Sequence, residues 1–300
     1  MNDTAAPLVS VVIPTFNQAS YLGRALQSVL DQTYTNWEAI VIDNHSTDNT
    51  DELMTSFADQ RIIYLKIHNN GVIAASRNAG IRAAKGEWLA FLDSDDLWYQ
   101  EKLKIVINCV QDDFTIDVCS TDELQVDETT GNRTPLNYGP YCSSFYEVLL
   151  LNGNRLSPSA TLIKSDFLTK HNLLFRENKE FVTVEDYDFW MLIARAGAKF
   201  KFLQSIQGEY TIHANNASGQ SDCHQQNTIM VLKDHVYHLQ TFQPDKDKLW
   251  RYINAGLLIS SAKNMLVNSH YISGAKFIIS AFRSSLTGTL SYILSKLTRN

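Results

Sequence analysis

This 300-residue chain has no apolar run near the ~18 residues that a membrane-crossing helix requires. Its four cysteines, Cys109, Cys119, Cys142 and Cys223, are irregularly spaced and form no C-x-x-C pair. That speaks against a disulfide scaffold or a zinc site and for a reducing, cytoplasmic setting. No basic block stands out among 26 Lys and Arg against 32 Asp and Glu, so nucleic acid is not an expected partner. The opening Met1-Asn2-Asp3-Thr4-Ala5-Ala6-Pro7 has neither the positive start nor the apolar core of a signal peptide. Without one, the glycosylation-type triplets Asn132-Arg133-Thr134 and Asn216-Ala217-Ser218 are read as chance. No G-x-G-x-x-G follows the first expected strand and no G-x-x-x-x-G-K-[ST] occurs, which argues against a dinucleotide oxidoreductase and a P-loop NTPase.

What is present is an ordinary globular composition, 44% hydrophobic and 19% charged, in a chain long enough for one large or two smaller cores. Val9-Ser10-Val11-Val12-Ile13-Pro14 reads as a buried strand. Leu22, Ala25, Leu26, Val29 and Leu30 then recur at helical spacing over 19–32. A second strand runs from Trp37 to Asp43, and Asn44-His45-Ser46-Thr47-Asp48 leads into a helix from Asp51. Ile62-Ile63-Tyr64-Leu65 is a third strand, 73–85 a helix, and Trp88-Leu89-Ala90-Phe91-Leu92 a fourth strand. This alternation predicts an α/β fold with a mostly parallel, Rossmann-like sheet flanked by helices.

The fourth strand ends in Asp93-Ser94-Asp95-Asp96, three carboxylates within four residues. Clustered acids at the carboxyl end of a strand suit a divalent cation with hard oxygen ligands, Mg²⁺ or Mn²⁺. The same residues also suit a turn and a helix N-cap. Further on, Val118 to Thr121 and Ala160 to Lys164 read as strands, and Asp127 to Tyr141 as a long exposed loop. Ser144 to Leu151 and the stretch from Val184 to Gly197 read as helices, Lys199 to Leu203 and Gly208 to His213 as two more strands. From about Gln225 the pattern is helical. It is mildly basic through Lys276, Arg283, Lys296 and Arg299, so that it suits a membrane surface, the protein's own core or a second subunit.

Taken together these pieces resemble the bacterial family 2 glycosyltransferases of the GT-A fold. The resemblance rests on Val9-Ser10-Val11-Val12-Ile13-Pro14-Thr15-Phe16-Asn17, Ile40-Val41-Ile42-Asp43-Asn44-His45-Ser46-Thr47-Asp48, Ser76-Arg77-Asn78-Ala79-Gly80, Phe91-Leu92-Asp93-Ser94-Asp95-Asp96 and Glu185-Asp186. It covers roughly residues 8–215. It implies a catalytic domain over 1–222, with a nucleotide-binding half over 8–122 and an acceptor half over 123–222, followed by a helical region over 223–300. It also implies an inverting transfer of a sugar from a nucleotide diphosphate, expected to be UDP, to a hydroxyl of a glycan or lipid-linked saccharide.

The resemblance assigns roles residue by residue. Pro14, Thr15, Asp43, Arg77 and Asp93 match donor-nucleotide positions, with Asp43 facing the base; an Asx-type turn at Asp43 and a surface salt bridge at Arg77 are the structural alternatives. Asp95, with Asp93 and His213, matches the metal site, while Asp96 is expected to cap the following helix. Asp186 is the expected general base and Glu185 its supporting acid, with Asp188 a rival; acids at a helix N-terminus are also stabilised by its dipole. Trp190 reads as core, and His235 with His238 as a chance pair. The family often carries Asp-Asp-Gly-Ser where this chain has Asp43-Asn44-His45-Ser46, so the second acid and the glycine are missing. Competing expectations are a non-catalytic nucleotide-binding subunit of a glycan-assembly complex and a sugar nucleotidyltransferase; the latter wants a glycine-rich basic first loop, which Thr15-Phe16-Asn17-Gln18 is not.

Overall fold

A computed structural model describes residues 6–213, 216, 221–267 and 270–297. The Asn216-Ala217-Ser218 triplet and Arg299 therefore fall wholly or partly outside the described residues. The chain forms two compact units, one of 1–146 and 155–227, the other of 147–154 and 228–300.

The first unit is built on a nine-stranded sheet. Its early strands are β1 (Val9–Thr15), β2 (Trp37–Asp43), β3 (Ile62–Lys66) and β4 (Trp88–Phe91), separated by α1 (Ala19–Leu30), α2 (Thr50–Ser56) and α3 (Ile73–Ala83). They lie in the order β3-β2-β1-β4, all parallel. Every residue of β1, β2 and β4 is buried, as expected of strands covered by helices on both faces. Each fully buried Val, Leu or Ile contributes roughly 1.5–3 kcal/mol. α1 turns Ala19, Leu22, Ala25, Leu26 and Val29 into this core. α3 closes on β1 at Gly80, where a Cβ would stand 2.2 Å from Val12 Cγ1.

The remaining strands are β5 (Leu97–Trp98), β6 (Val118–Asp127), β7 (Arg133–Leu136), β8 (Thr161–Lys164) and β9 (Phe200–Ile212). β8 pairs antiparallel to both β4 and β6, and β9 runs parallel to β6. Two antiparallel steps restore the original direction. The carboxyl end of β9 therefore reaches the same sheet edge as the ends of β1, β2 and β4. The sheet is thus parallel in its first half and mixed in its second.

Three elements differ from the sequence-based expectation. The stretch 127–141 contains β7, paired with β6 through Leu124↔Pro135 and its neighbours; proline is tolerated because β7 bonds on one side only. The two strands expected over 199–213 are one strand of 13 residues, and the irregularity falls in its pairing with β6, where the register shifts around Asp122. Asp96 does not cap a helix: two residues of β5 follow it, and the next helix, α4 (Lys102–Asp112), begins after Glu101. The other helices of this unit include α6 (Ser165–His171) and α7 (Glu185–Arg195).

The second unit holds α9 (Lys246–Val267), α10 (Tyr271–Ser284) and α11 (Leu286–Leu297); unit boundaries fall within α5 (Phe145–Asn152) and α8 (Ser221–Asp234). α9 packs on α10 and α11. Ser260 Oγ meets Tyr292 OH at 2.8 Å, and a Cβ on Gly256 would stand 2.9 Å from the Tyr292 ring, so a small residue is what lets α11 approach.

Candidate active site

The edge where β1, β2, β4 and β9 end gathers nearly every acid singled out in the sequence. Thr15 and Asp43 are register partners at the ends of β1 and β2. Asp43 is fully buried: Ser46 N and Ser46 Oγ donate to its Oδ1 at 2.9 and 2.5 Å, and Tyr64 OH donates to Oδ2 at 2.8 Å. Asp43 thus closes the turn expected as its structural alternative, at the carboxyl end of β2. Tyr64 also reaches Asp51 Oδ1 at 2.7 Å, and burial together with both carboxylates pushes its hydroxyl well above the ordinary tyrosine range. The Thr15 hydroxyl is buried without a partner, and Pro14 precedes it in the strand.

His45 occupies the place of the family's glycine, and it holds the backbone such a glycine would, with φ +56°. Its ring stacks on His68 at 3.8 Å between centroids and 13° between planes. Left-handed backbone costs a non-glycine residue roughly 1–2 kcal/mol, and the stack offsets part of that.

Arg77, 3% exposed on α3, joins two motifs. Its Nη2 stands 2.7 Å from Asp93 Oδ1, and its Nη1 2.6 Å from Glu185 Oε1 at the start of α7. Two carboxylates hold its guanidinium charged despite complete burial. Arg77 is therefore not a surface ion pair; it ties the β4 loop to α7. Arg77 Nε and Glu185 Oε2 remain buried without partners.

Next to this pair, Asp186 keeps part of its surface open. The surrounding protein and the Glu185 carboxylate push its carboxyl up to about 7, with Arg77 acting in the opposite sense. A carboxylate poised there is matched to proton transfer near neutral pH. Asp188 is taken up elsewhere: it is fully buried and paired with Arg176, whose Nε donates to Oδ2 at 2.8 Å. Trp190 is fully buried in the core, and His235 lies in a π-helical turn of the other unit.

Asp95 receives His213 Nε2 at 3.1 Å and Asn216 Nδ2 at 3.3 Å. The His213 ring stacks on Tyr21, 4.5 Å between centroids; Tyr21 OH donates to Glu128 at 2.8 Å, and Glu128 pairs with Arg24. Burial and the charge of Asp93 push the Asp95 carboxyl up, and the imidazole only partly relieves it. A carboxylate so short of positive charge fits a cation. Among the described residues no three His, Cys, Asp or Glu side chains converge as a self-contained metal site.

Sequence reasoning missed what lies beneath. Asp96 is buried, with Ser159 Oγ donating to its Oδ2 at 2.5 Å and the Thr211 amide to its Oδ1 at 2.9 Å. Burial and the neighbouring carboxylates of Asp95 and Glu123 push it well above the usual range. The Asp93 amide donates to the same Ser159 hydroxyl at 3.1 Å. Deeper, buried Lys102 donates to Thr121 Oγ1, and Tyr138 OH to Glu123 Oε2 at 2.8 Å. Only Asp96 of these residues carries a sequence signal, its place in the acidic run.

Comparison with known proteins identifies the family and the fold. Residues 10–177 match the family model described as Glycosyl transferase family 2. A relative from Escherichia coli, WfgD, named a UDP-Glc:alpha-D-GlcNAc-diphosphoundecaprenol beta-1,3-glucosyltransferase, is 30% identical over 63% of this chain and 70% of its own length. A second from the same organism, WfaP, bears the same activity name and is 29% identical over 70% of this chain and 80% of its own length. Staphylococcus aureus TarS in complex with UDP-GlcNAc superposes with a TM-score of 0.64 at 20% identity, over 96% of this chain and 92% of that one. The mannosyltransferase PcManGT from Pyrobaculum calidifontis, in complex with GDP-Man and Mn²⁺, gives 0.63 at 17% identity, over 98% and 81%. The sheet edge, its acids and the family match lead to one conclusion: this chain is an enzyme of the GT-A fold that belongs to glycosyl transferase family 2.

Proposed function

We propose that the enzyme transfers a sugar from a UDP-sugar to a hydroxyl of a lipid-linked saccharide, with inversion at the anomeric carbon. The observation that carries this is the Arg77 bridge, which brings the expected donor-site acid Asp93 and the expected acid pair Glu185-Asp186 to one guanidinium. The names of the Escherichia coli relatives, both UDP-Glc-dependent and acting on a diphosphoundecaprenol-linked sugar, support the donor and acceptor classes.

Asp186 takes the proton from the acceptor hydroxyl as its oxygen attacks the anomeric carbon, and the bond to the diphosphate breaks on the opposite face. Glu185, fixed by Arg77, orients this end of α7, and its charge raises the affinity of Asp186 for the proton it takes. Asp95 and His213, with Asp93 beside them, would hold a Mn²⁺ or Mg²⁺ ion that offsets charge on the departing diphosphate. Asp43 and Thr15, with Pro14, flank the base. The lipid-linked acceptors named for the Escherichia coli relatives support placing the enzyme at the cytoplasmic face of the membrane, where such an acceptor and a nucleotide-sugar can meet.

The test is UDP release from a panel of UDP-, GDP- and dTDP-sugars with a diphospholipid-linked acceptor, with and without Mn²⁺. Turnover confined to UDP-sugars, lost in Asp186→Asn while UDP still binds, is the expected result. UDP binding without turnover on any sugar would instead make the chain a nucleotide-binding subunit.

A further inference from the structure

From Lys248 to Asn300 the sequence contains no Asp or Glu, while Lys248, Arg251, Lys263, Lys276, Arg283, Lys296 and Arg299 fall within it. That leaves nineteen basic against thirty-two acidic residues, a net charge of −13, in residues 1–247. Such a sorting of charge is not needed to pack three helices. The positive groups are also on the outside: Lys248, Arg251, Lys263, Lys276 and Arg283 are all exposed.

The same helices leave large apolar side chains in solvent. On α10, Ile272 is 77% exposed and Ile279 52% exposed. With Lys276 and Arg283 they recur at steps of four, three and four residues, so apolar and basic groups alternate along one stripe. On α11, Leu286, Leu290 and Leu294 form a stripe at steps of four, each about half exposed or more. At the end of α9, Val267 is 74% exposed beside Lys263. Between the three helices lies an apolar groove of about 290 Å³, lined by Ile259, Leu266, Val267, Ile278 and Ile293 with Lys263 among them.

We infer that this three-helix unit is a docking surface for an anionic lipid bilayer. Isoleucines and leucines would enter the acyl boundary, and the flanking Lys and Arg would lie at the level of the phosphates with their stems along the apolar face. A second copy of the chain would bring the same positive charge to the contact and is opposed by it, whereas an anionic surface is attracted. The inference does not depend on which donor or acceptor the enzyme uses.

The experiment is flotation of the intact protein with vesicles of phosphatidylcholine alone and of equal parts phosphatidylcholine and phosphatidylglycerol. Flotation with the anionic vesicles only, reversed by high salt, is expected. Lys276→Glu with Arg283→Glu should weaken partitioning on the order of a hundredfold, and Ile279→Glu should also weaken it, each with unchanged circular dichroism. The salt titration needs no variant and stands if one fails to fold. Equal flotation with both vesicle types, or with neither, overturns the inference. So does light scattering that finds a dimer which Ile279→Glu dissociates, since the face would then be a subunit interface.

Discussion

Arg77 Nη1 lies 2.6 Å from Glu185 Oε1, across 108 residues of sequence, and both groups are almost wholly buried. With Asp93 on its other terminal nitrogen, Arg77 is the counter-charge for two carboxylates from two motifs. Removing it strands both. Arg77→Ala should cost about 3–5 kcal/mol, the usual penalty for breaking a buried ion pair from one side. Arg77→Lys should recover only part, because an ammonium cannot present two parallel donors in that fork. Urea unfolding of both variants and of Arg77→Ala/Glu185→Gln tests this; the double variant should be less destabilised than the sum of its parts.

The Asp186 carboxyl gives a pH dependence with opposite signs for activity and stability. Its folded-state value of about 7 stands against an ordinary 3.8. The base works only when ionised, so kcat/KM should rise with pH through about 7 and level off above it. The stabilising contribution runs the other way: it is complete below pH 3.8 and is lost as the pH rises through about 7. Asp186→Asn should abolish the acid limb and lower kcat on the order of 10²–10⁴-fold. A limb that persists in this variant would assign it to another group.

Tyr21 reaches no carboxylate of the site but stacks on His213, which stands on Asp95. His213→Ala should weaken metal-dependent UDP binding and leave metal-independent binding unchanged. Tyr21→Ala should act in the same direction through the loosened imidazole, on the order of tenfold. Calorimetric titration of UDP with and without Mn²⁺ separates the two effects; equal losses in both conditions would contradict the assignment.

His45→Gly relieves left-handed backbone but also removes the stack on His68. The backbone gain, roughly 1–2 kcal/mol, should exceed the loss of an exposed ring pair, so the variant should melt at or above the parent. His45→Ala keeps the strain and loses the stack, and should melt below it.

The first half of the sheet was legible because buried parallel strands are largely apolar, as in 9–15, 37–43 and 88–91, with Ser10 and Glu38 the interruptions inside the first two. Pairing of β6 with β9 was not, since a bulged register around Asp122 leaves no pattern along either strand. At the site, the acidic run after the fourth strand exposed Asp93 and Asp95, and the family resemblance pointed to Glu185 and Asp186. Contacts between motifs stayed hidden. Arg77 reads in the sequence as a donor-nucleotide position or a surface salt bridge, and only the fold shows it shared by the β4 loop and α7. Asp96 reads as a helix cap because the two-residue strand β5 has no periodicity of its own.

The Thr211 amide, bonded to Asp96 at 2.9 Å, sits two residues before His213, and Asp96 follows Asp95 directly. One backbone proton therefore reports on the acidic loop and the histidine strand together. In hydrogen–deuterium exchange it should be released only when those two pieces separate, at a rate set by that local opening. A ligand that clamps them should slow this amide selectively, so binding at this edge can be followed on the resting enzyme without any sugar being transferred.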